Sequence, residues 1–255
     1  MEQKFISHPE YTFDASKLPD TEDAIILIDK PAGISSFGVV AKVRGALKQK
    51  FGHKVKVGHT GTLDPFATGL LILLTGKMTK RSDEFLKKDK VYTATLKLGY
   101  TSTTGDPEGI INEVNNSVPS IQNIQKTINI FIGEIDQKVP NFSAVKINGE
   151  RAYKLARQGK SFDTPVRKVT IYDIDILAYN YPELKIRVHC SSGTYIRTLA
   201  EDIGVKLGTG AYLTALRREK ISNYDVASAL HFTNLTPKTV NNFTKNWYPE
   251  RDLNS

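Results

Sequence analysis

A carboxylate surrounded by small, turn-forming residues is the first candidate for chemistry. Asp64 lies in Gly58-His59-Thr60-Gly61-Thr62-Leu63-Asp64-Pro65-Phe66-Ala67-Thr68-Gly69, between a leucine and a proline. A proline confines the preceding residue to extended backbone, so a stiff turn holds Asp64. A carboxylate fixed in this way and partly shielded from water can serve as nucleophile or base. The same residues fit plainer roles. Asp before proline commonly bonds its own backbone in a turn. Gly58-His59-Thr60-Gly61 also has the form of the Gly-x-x-Gly clamp of a KH RNA-binding module. That clamp requires a helix on each side, and here the apolar run Leu70–Leu74 follows.

Other chemistries lack their residues. Neither Gly-x-x-x-x-Gly-Lys-Ser/Thr nor Gly-x-Gly-x-x-Gly occurs, so phosphate and dinucleotide cradles are unsupported. His8, His53, His59, His189 and His231 are scattered, and Cys190 is the single cysteine. A metal site and an internal disulfide therefore have no sequence support. There is no Gly-x-Ser-x-Gly elbow. Nothing in these patterns calls for a cofactor or a metal.

The elements that must position Asp64 follow from periodicity. Ala24–Asp29 reads as a buried strand and Lys30–Gly33 as a turn. Ser35 and Ser36 offer N-cap hydroxyls for a helix over Phe37–Lys50, with Phe37, Val40, Val43 and Leu47 on its inner face. Residues 70–74 form a buried strand after the Asp64 loop, and Lys77–Lys88 a short basic helix. Tyr92–Leu98 alternates, placing Tyr92, Ala94, Leu96 and Leu98 on one face of a strand. Asp106–Gly109 is turn chemistry. Pro119 and Ser120 open a helix with Ile121, Ile124, Ile128 and Phe131 inward. The polar, basic stretch 140–165 reads as an insertion projecting from the core, with a helical piece over Arg151–Gln158. Strands at Val166–Ala178 and Leu184–Cys190 follow, the latter burying Cys190 as a small apolar residue. A helix over Tyr195–Leu207 has Thr194 as its expected N-cap, with Ile196, Leu199, Ile203 and Leu207 inward. Tyr212–Ile221 is a further strand, and Asp225–Leu230 a short helix. The mixed order of strands and helices predicts an α+β fold with a mixed sheet.

Charge bears on the partner. The chain has 255 residues and a formal net charge of +8, which suits a polyanionic partner without requiring one. Lys42, Arg44, Lys48, Lys50, Lys54 and Lys56 occur with His53 and without an acid. A solvated helix face usually mixes signs, so this block leans toward phosphate contact. No apolar stretch is long enough to span a bilayer. The start of the chain lacks an apolar signal core, which leads us to expect a cytoplasmic protein.

Five separated segments resemble the TruB family of tRNA pseudouridine synthases. The Gly58–Gly69 loop resembles the family's signature loop, and Ile28–Ser36, with Lys30 and Pro31, its first motif. Lys90-Val91-Tyr92 is similar to the strand carrying the active-site tyrosine. Ser192–Leu199 is similar to the motif carrying the active-site arginine, and Ala211–Arg218 to the strand that closes the pocket. The matches keep the family's order over residues 25–225.

The resemblance implies a pseudouridine synthase fold, a mixed and mostly antiparallel sheet flanked by helices. It implies conversion of uridine 55 in the tRNA T-loop to pseudouridine: the glycosidic bond breaks, the uracil turns, and C5 joins C1′. The target must first be flipped out of the folded RNA. Asp64 would be the catalytic carboxylate, with Arg197 paired to it and Tyr92 stacked on the flipped base. His59 would fill the gap left in the T-loop, Tyr195 and Leu216 would line the base pocket, and Lys30 and Pro31 would shape its floor. A cation beside Asp64 opposes the rise in pKa that burial causes. Asp64 could attack C1′ or remove a C2′ proton, and the residues leave both routes open. A protein that only binds and refolds tRNA is the competing class; the set Asp64, Tyr92 and Arg197 favours the enzyme.

By the same resemblance the expected organisation is an arm over 1–22, a catalytic domain over 23–232 and a tail over 233–255. The 140–165 insertion matches a thumb that closes on the T-arm. Only 31 residues follow Tyr224, too few for a second core, so a form without the family's C-terminal PUA domain is expected. That in turn suggests a monomer that recognises the tRNA T-arm itself and needs no guide RNA.

Overall fold

Alternating and uniformly apolar runs assemble into one large sheet. The computed structural model describes residues 11–115, 117–147 and 149–234, so the start of the expected arm and nearly all of the tail lie outside the described residues. In chain order the strands of the main sheet are β1 (Ile25–Lys30), β2 (Val57–His59), β3 (Thr68–Thr75), β4 (Lys90–Leu98), β5 (Gly133–Lys138), β6 (Val166–Asn180), β7 (Glu183–Cys190), β8 (Ala211–Ile221), β9 (Tyr224–Asp225) and β10 (Leu230–His231). Their order is β10-β1-β3-β8-β4-β7-β6-β5, with β2 paired to β3 and β9 to β8. The β8–β3 and β10–β1 pairs are parallel and the others antiparallel. The class is the expected α+β, with a mixed and mostly antiparallel sheet.

The helices are α1 (Ser36–Phe51), α2 (Ser82–Leu86), α3 (Ile121–Asn129), α4 (Ala152–Arg157) and α5 (Ile196–Leu207). Val39, Val40, Val43 and Leu47 of α1 pack on Ile26, Ile28, Leu71 and Leu73. Leu70, Ile72 and Leu74 face the other way, against Phe85 and Ile221. Because β3 is covered on both faces, its run is uniformly apolar rather than alternating. Helices α3 and α5 cover the far half of the sheet through Ile124, Ile128, Leu199 and Ile203. Among the described residues no helix is long and apolar enough to cross a membrane.

Several local expectations are corrected. Phe37 is 65% exposed, because α1 is rotated so that Ser36 and Val39 turn inward instead. Ile121, in the first turn of α3, is also exposed. Thr194 does not cap α5: its hydroxyl donates to the Ser191 carbonyl, and Tyr195 is the N-cap residue without a side-chain cap bond. The expected basic helix after β3 is a 3₁₀ stretch, Gly76–Arg81, running into α2, and the short helix near 225 is a single 3₁₀ turn, Val226–Ser228. Within 140–165 the chain forms a two-residue ladder, Lys146–Ile147 with Glu150–Arg151, followed by α4.

The feature that positions the site is the parallel contact of β3 with β8, where Arg217 and Arg218 face Thr68 and Gly69. Gly69 has φ +100°, and a Cβ there would stand 2.3 Å from the Arg218 carbonyl oxygen. Only glycine tolerates both that conformation and that approach.

Candidate active site

The loop between β2 and β3 is pinned at nearly every residue. Ser36, just inside α1, accepts from the Leu63 amide at 2.8 Å and donates to the Leu63 carbonyl at 2.9 Å. The Pro65 carbonyl accepts from the Gly33 amide at 2.8 Å and from Lys30 Nζ at 3.2 Å. The Ala67 amide bonds back to the Asp64 carbonyl, closing the turn. From β8, Arg218 donates to the carbonyls of Gly61 and Leu70, at 3.1 and 2.7 Å, clasping the two ends of the loop. Leu63 and Ala67 are buried on either side of Asp64. The loop thus has the fixed geometry that a preorganised site requires.

Asp64 meets Arg197, the contact that the family resemblance implied. Arg197, in the first turn of α5, places Nε 3.1 Å from Asp64 Oδ2 and Nη1 3.3 Å from Asp106 Oδ2. Its remaining donors reach the Thr104 carbonyl at 2.9 Å and the Phe142 carbonyl at 2.7 Å. The guanidinium is buried, with four of its five N–H groups paired, and of its two carboxylate partners only Asp64, with 34% of its side chain exposed, opens to solvent. Burial pushes the Asp64 carboxyl above its ordinary range, Arg197 pulls against that rise, and the net direction is upward. Glu201, one turn further along α5, is pushed up to about 6 by burial.

The other expected site residues gather round this pair. Tyr92 on β4 and Leu216 on β8 are both nearly buried, each 8% exposed, in the same cluster as Leu63. Burial pushes the Tyr92 hydroxyl up, while the Arg218 guanidinium draws it down. Tyr195 enters α5 with its backbone clamped by the buried Gln137, whose amide accepts from Tyr195 N and donates to Tyr195 O. The His59 ring accepts from the Gly61 amide at 3.4 Å, and burial lowers its pKa, so it is held neutral. Lys30 is wholly buried. Its three N–H groups go to the carbonyls of Pro31, Ile34 and Pro65, which satisfies an ammonium completely. Burial lowers it to about 8. Lys30 therefore supports the loop from beneath, and Pro31 contributes its carbonyl. Among the described residues no three His, Cys, Asp or Glu side chains are grouped to hold a metal ion.

Sequence reasoning missed two site residues. Asp106 was legible only as a turn residue, and it does serve as one, accepting from Glu108 N and Thr104 Oγ1. Its second oxygen goes to Arg197. Arg218 had an available signal: it stands two residues from Leu216 on one strand, and so shares its face.

Residues 48–196 match the family described as TruB family pseudouridylate synthase (N terminal domain), and residues 197–246 match the tRNA pseudouridylate synthase B C-terminal domain. The fold is a pseudouridine synthase fold. The chain belongs to the TruB family. It is 46% identical over 211 residues to tRNA pseudouridine synthase B of Endomicrobium trichonymphae, covering 82% of this chain and 90% of that protein. It is 45% identical over 218 residues to the Flavobacterium johnsoniae protein of the same name, covering 83% and 94%. Among solved structures, a Cbf5-Nop10-Gar1 complex superposes with a TM-score of 0.61 at 30% identity, covering 85% of this chain. The chain spans only 55% of the matched chain in that complex.

Proposed function

We propose that this protein converts uridine 55 in the T-loop of tRNA to pseudouridine, with Asp64 as the catalytic carboxylate. The observation that carries the reading is the Asp64–Arg197 ion pair, whose carboxylate stays partly open to solvent while Tyr92 and Leu216 lie in the same apolar cluster as Leu63 beside it. A pure binding protein has no use for a carboxylate held in register by a buried guanidinium that is itself anchored by Asp106 and two carbonyls. The tRNA substrate follows from the relatives named above, and the position of the uridine from the resemblance of the loop.

In this reading the target nucleotide flips out of the T-loop, its base stacking on Tyr92 and fitting against Leu216 and Tyr195. His59, neutral and braced on Gly61, enters the space left behind. The N1–C1′ bond breaks, the uracil turns, C5 bonds C1′, and the C5 proton is exchanged for one on N1. Attack at C1′ and removal of the C2′ proton both require Asp64 ionised, and Arg197 Nε keeps one oxygen engaged so that the other faces the sugar. The 140–165 segment would close over the arm, and it begins where Arg197 holds Phe142.

The direct test is incubation with unmodified tRNA transcript followed by site-specific mapping of pseudouridine. Conversion confined to uridine 55 supports the reading; conversion elsewhere, or none, rejects it. Two further results are expected. Since the ionised Asp64 is the working form and its pKa is raised, kcat/KM falls as pH drops through that raised value. The acid limb should therefore stand above the ordinary aspartate value of 3.8. A limb at or below it would remove Asp64 from the rate-controlling step. Affinity for tRNA should fall steadily on a log–log plot against salt concentration, as phosphate contacts release counterions. A flat plot would argue against Lys42, Lys48, Lys54 and Lys56, all exposed, as a phosphate surface.

A further inference from the structure

The corrected face of α1 raises a question that the reaction does not answer: why an aromatic ring stands in solvent beside the catalytic loop. Phe37 is 65% exposed, yet its neighbour Ser36 is buried and bonded to Leu63, next to Asp64. The ring is not idle. Arg44, two turns along α1, holds its guanidinium carbon 5.9 Å from the ring centroid, within the range of a cation–π contact. Arg44 also donates to the Val57 carbonyl at 3.3 Å, so this face of α1 leans toward β2, the strand that ends in His59. Lys48 continues the stripe one turn further, exposed. The sequence holds no acidic residue between Asp29 and Asp64; Asp20 and Glu22 engage Lys50 and His53 at the far end of the block, and among the described residues no ion pair engages Arg44 or Lys48.

We infer that Phe37 and Arg44 form a nucleotide subsite beside the loop that carries Asp64, stacking one unpaired base of the RNA substrate on the ring and holding its phosphate with Arg44 and Lys48. An exposed aromatic flanked by cations is the arrangement that binds single-stranded nucleotides without reading their sequence, because every base presents a π-face. The occupant is RNA because the face is cationic as well as apolar; a protein surface seated on it would bring an apolar partner for the ring and acids for the stripe. The subsite would hold a nucleotide near the target while the target itself enters the pocket. The inference rests on the proposed tRNA activity, and its test separates the two.

The experiment measures binding of a T-arm stem-loop RNA and turnover on the same RNA, for native protein, Phe37→Ala, Phe37→Trp and Ile130→Ala. Ile130 is a similarly exposed apolar residue at the end of α3 and serves as the control. Phe37→Ala should raise Kd and KM about tenfold while turnover at saturation stays near native, and Phe37→Trp should restore binding. Stacking also has a signature of its own. Fluorescence of the Phe37→Trp protein should be quenched when the RNA binds, well beyond any change from the natural Trp247. Native-like Kd and KM in Phe37→Ala would overturn the inference, as would an equal loss in Ile130→Ala. So would a concentration-dependent dimer that Phe37→Ala abolishes, since the face would then bind a second copy. If native protein binds the stem-loop but makes no pseudouridine, the proposed activity fails, and the binding and fluorescence measurements still decide the subsite.

Discussion

Asp64→Ala is expected to reduce pseudouridine formation by on the order of 10⁴-fold or more, the scale on which enzymes lose turnover when the activated group itself is removed. Binding of tRNA should survive. Asp64 contributes one oxygen to Arg197, and that arginine keeps Asp106 and two carbonyls as partners. The loop also remains tied by Ser36, Lys30 and Arg218, none of which bonds the Asp64 side chain. Loss of chemistry without loss of affinity is therefore the signature, read by mapping pseudouridine in parallel with a binding titration. Near-native conversion by this variant would end the assignment of Asp64.

Arg197→Met should damage both stability and rate. The substitution keeps much of the side chain's bulk but leaves Asp106, nearly buried, without its cation, and two backbone carbonyls without donors. Removing one partner of a buried pair costs about 3–5 kcal/mol, readable as a lower midpoint in urea at unchanged slope. Turnover should fall on the order of 10²-fold or more, because misplacement of a reacting group by an ångström is enough for such a loss. The pH profile separates this from general loosening. Arg197 is the main influence holding the Asp64 pKa down against burial, so its removal must move the acid limb of kcat/KM upward. Arg197→Lys should not restore the native profile, since an ammonium cannot span both carboxylates and both carbonyls as a planar guanidinium does. An unmoved acid limb in Arg197→Met would show that the pair does not set the state of Asp64.

The candidate site was reached through the resemblance of several separated segments taken together, since each run alone has a plainer reading. Asp64 by itself reads as a turn aspartate before proline, Lys30 as part of a turn, and Arg197 as an ordinary residue in the first turn of a helix. What was illegible depended on partners far apart in the chain. Asp106 looks complete as a turn residue, and its bond to Arg197 leaves no trace in neighbouring residues. The face of α1 was misjudged for a related reason. Phe37, Val40, Val43 and Leu47 are helically spaced, but so are Ser36, Val39 and Val43. Periodicity favours the phenylalanine over the serine, whereas the fold buries the serine because Leu63 offers it both a donor and an acceptor. A tertiary hydrogen bond thus overrode the apolar pattern and left an aromatic in water. Thr194 illustrates the same limit: a hydroxyl ahead of a helix can accept from a first-turn amide or donate to a carbonyl, and here it donates to Ser191.

The clasp of Arg218 on the Gly61 and Leu70 carbonyls ties the loop to a strand 148 residues beyond Leu70. Such a contact closes only after nearly the whole chain has been brought together, and distant pairings form late because their loop-closure entropy must be met first. A ribosome-bound chain that has emerged only through β7 can already hold Asp64 and a cluster of cations, yet has no means of setting the carboxylate against Arg197. On the proposed reading, such a partial chain lacks the capacity to cut a glycosidic bond, and turnover reads out completed topology rather than the loop alone.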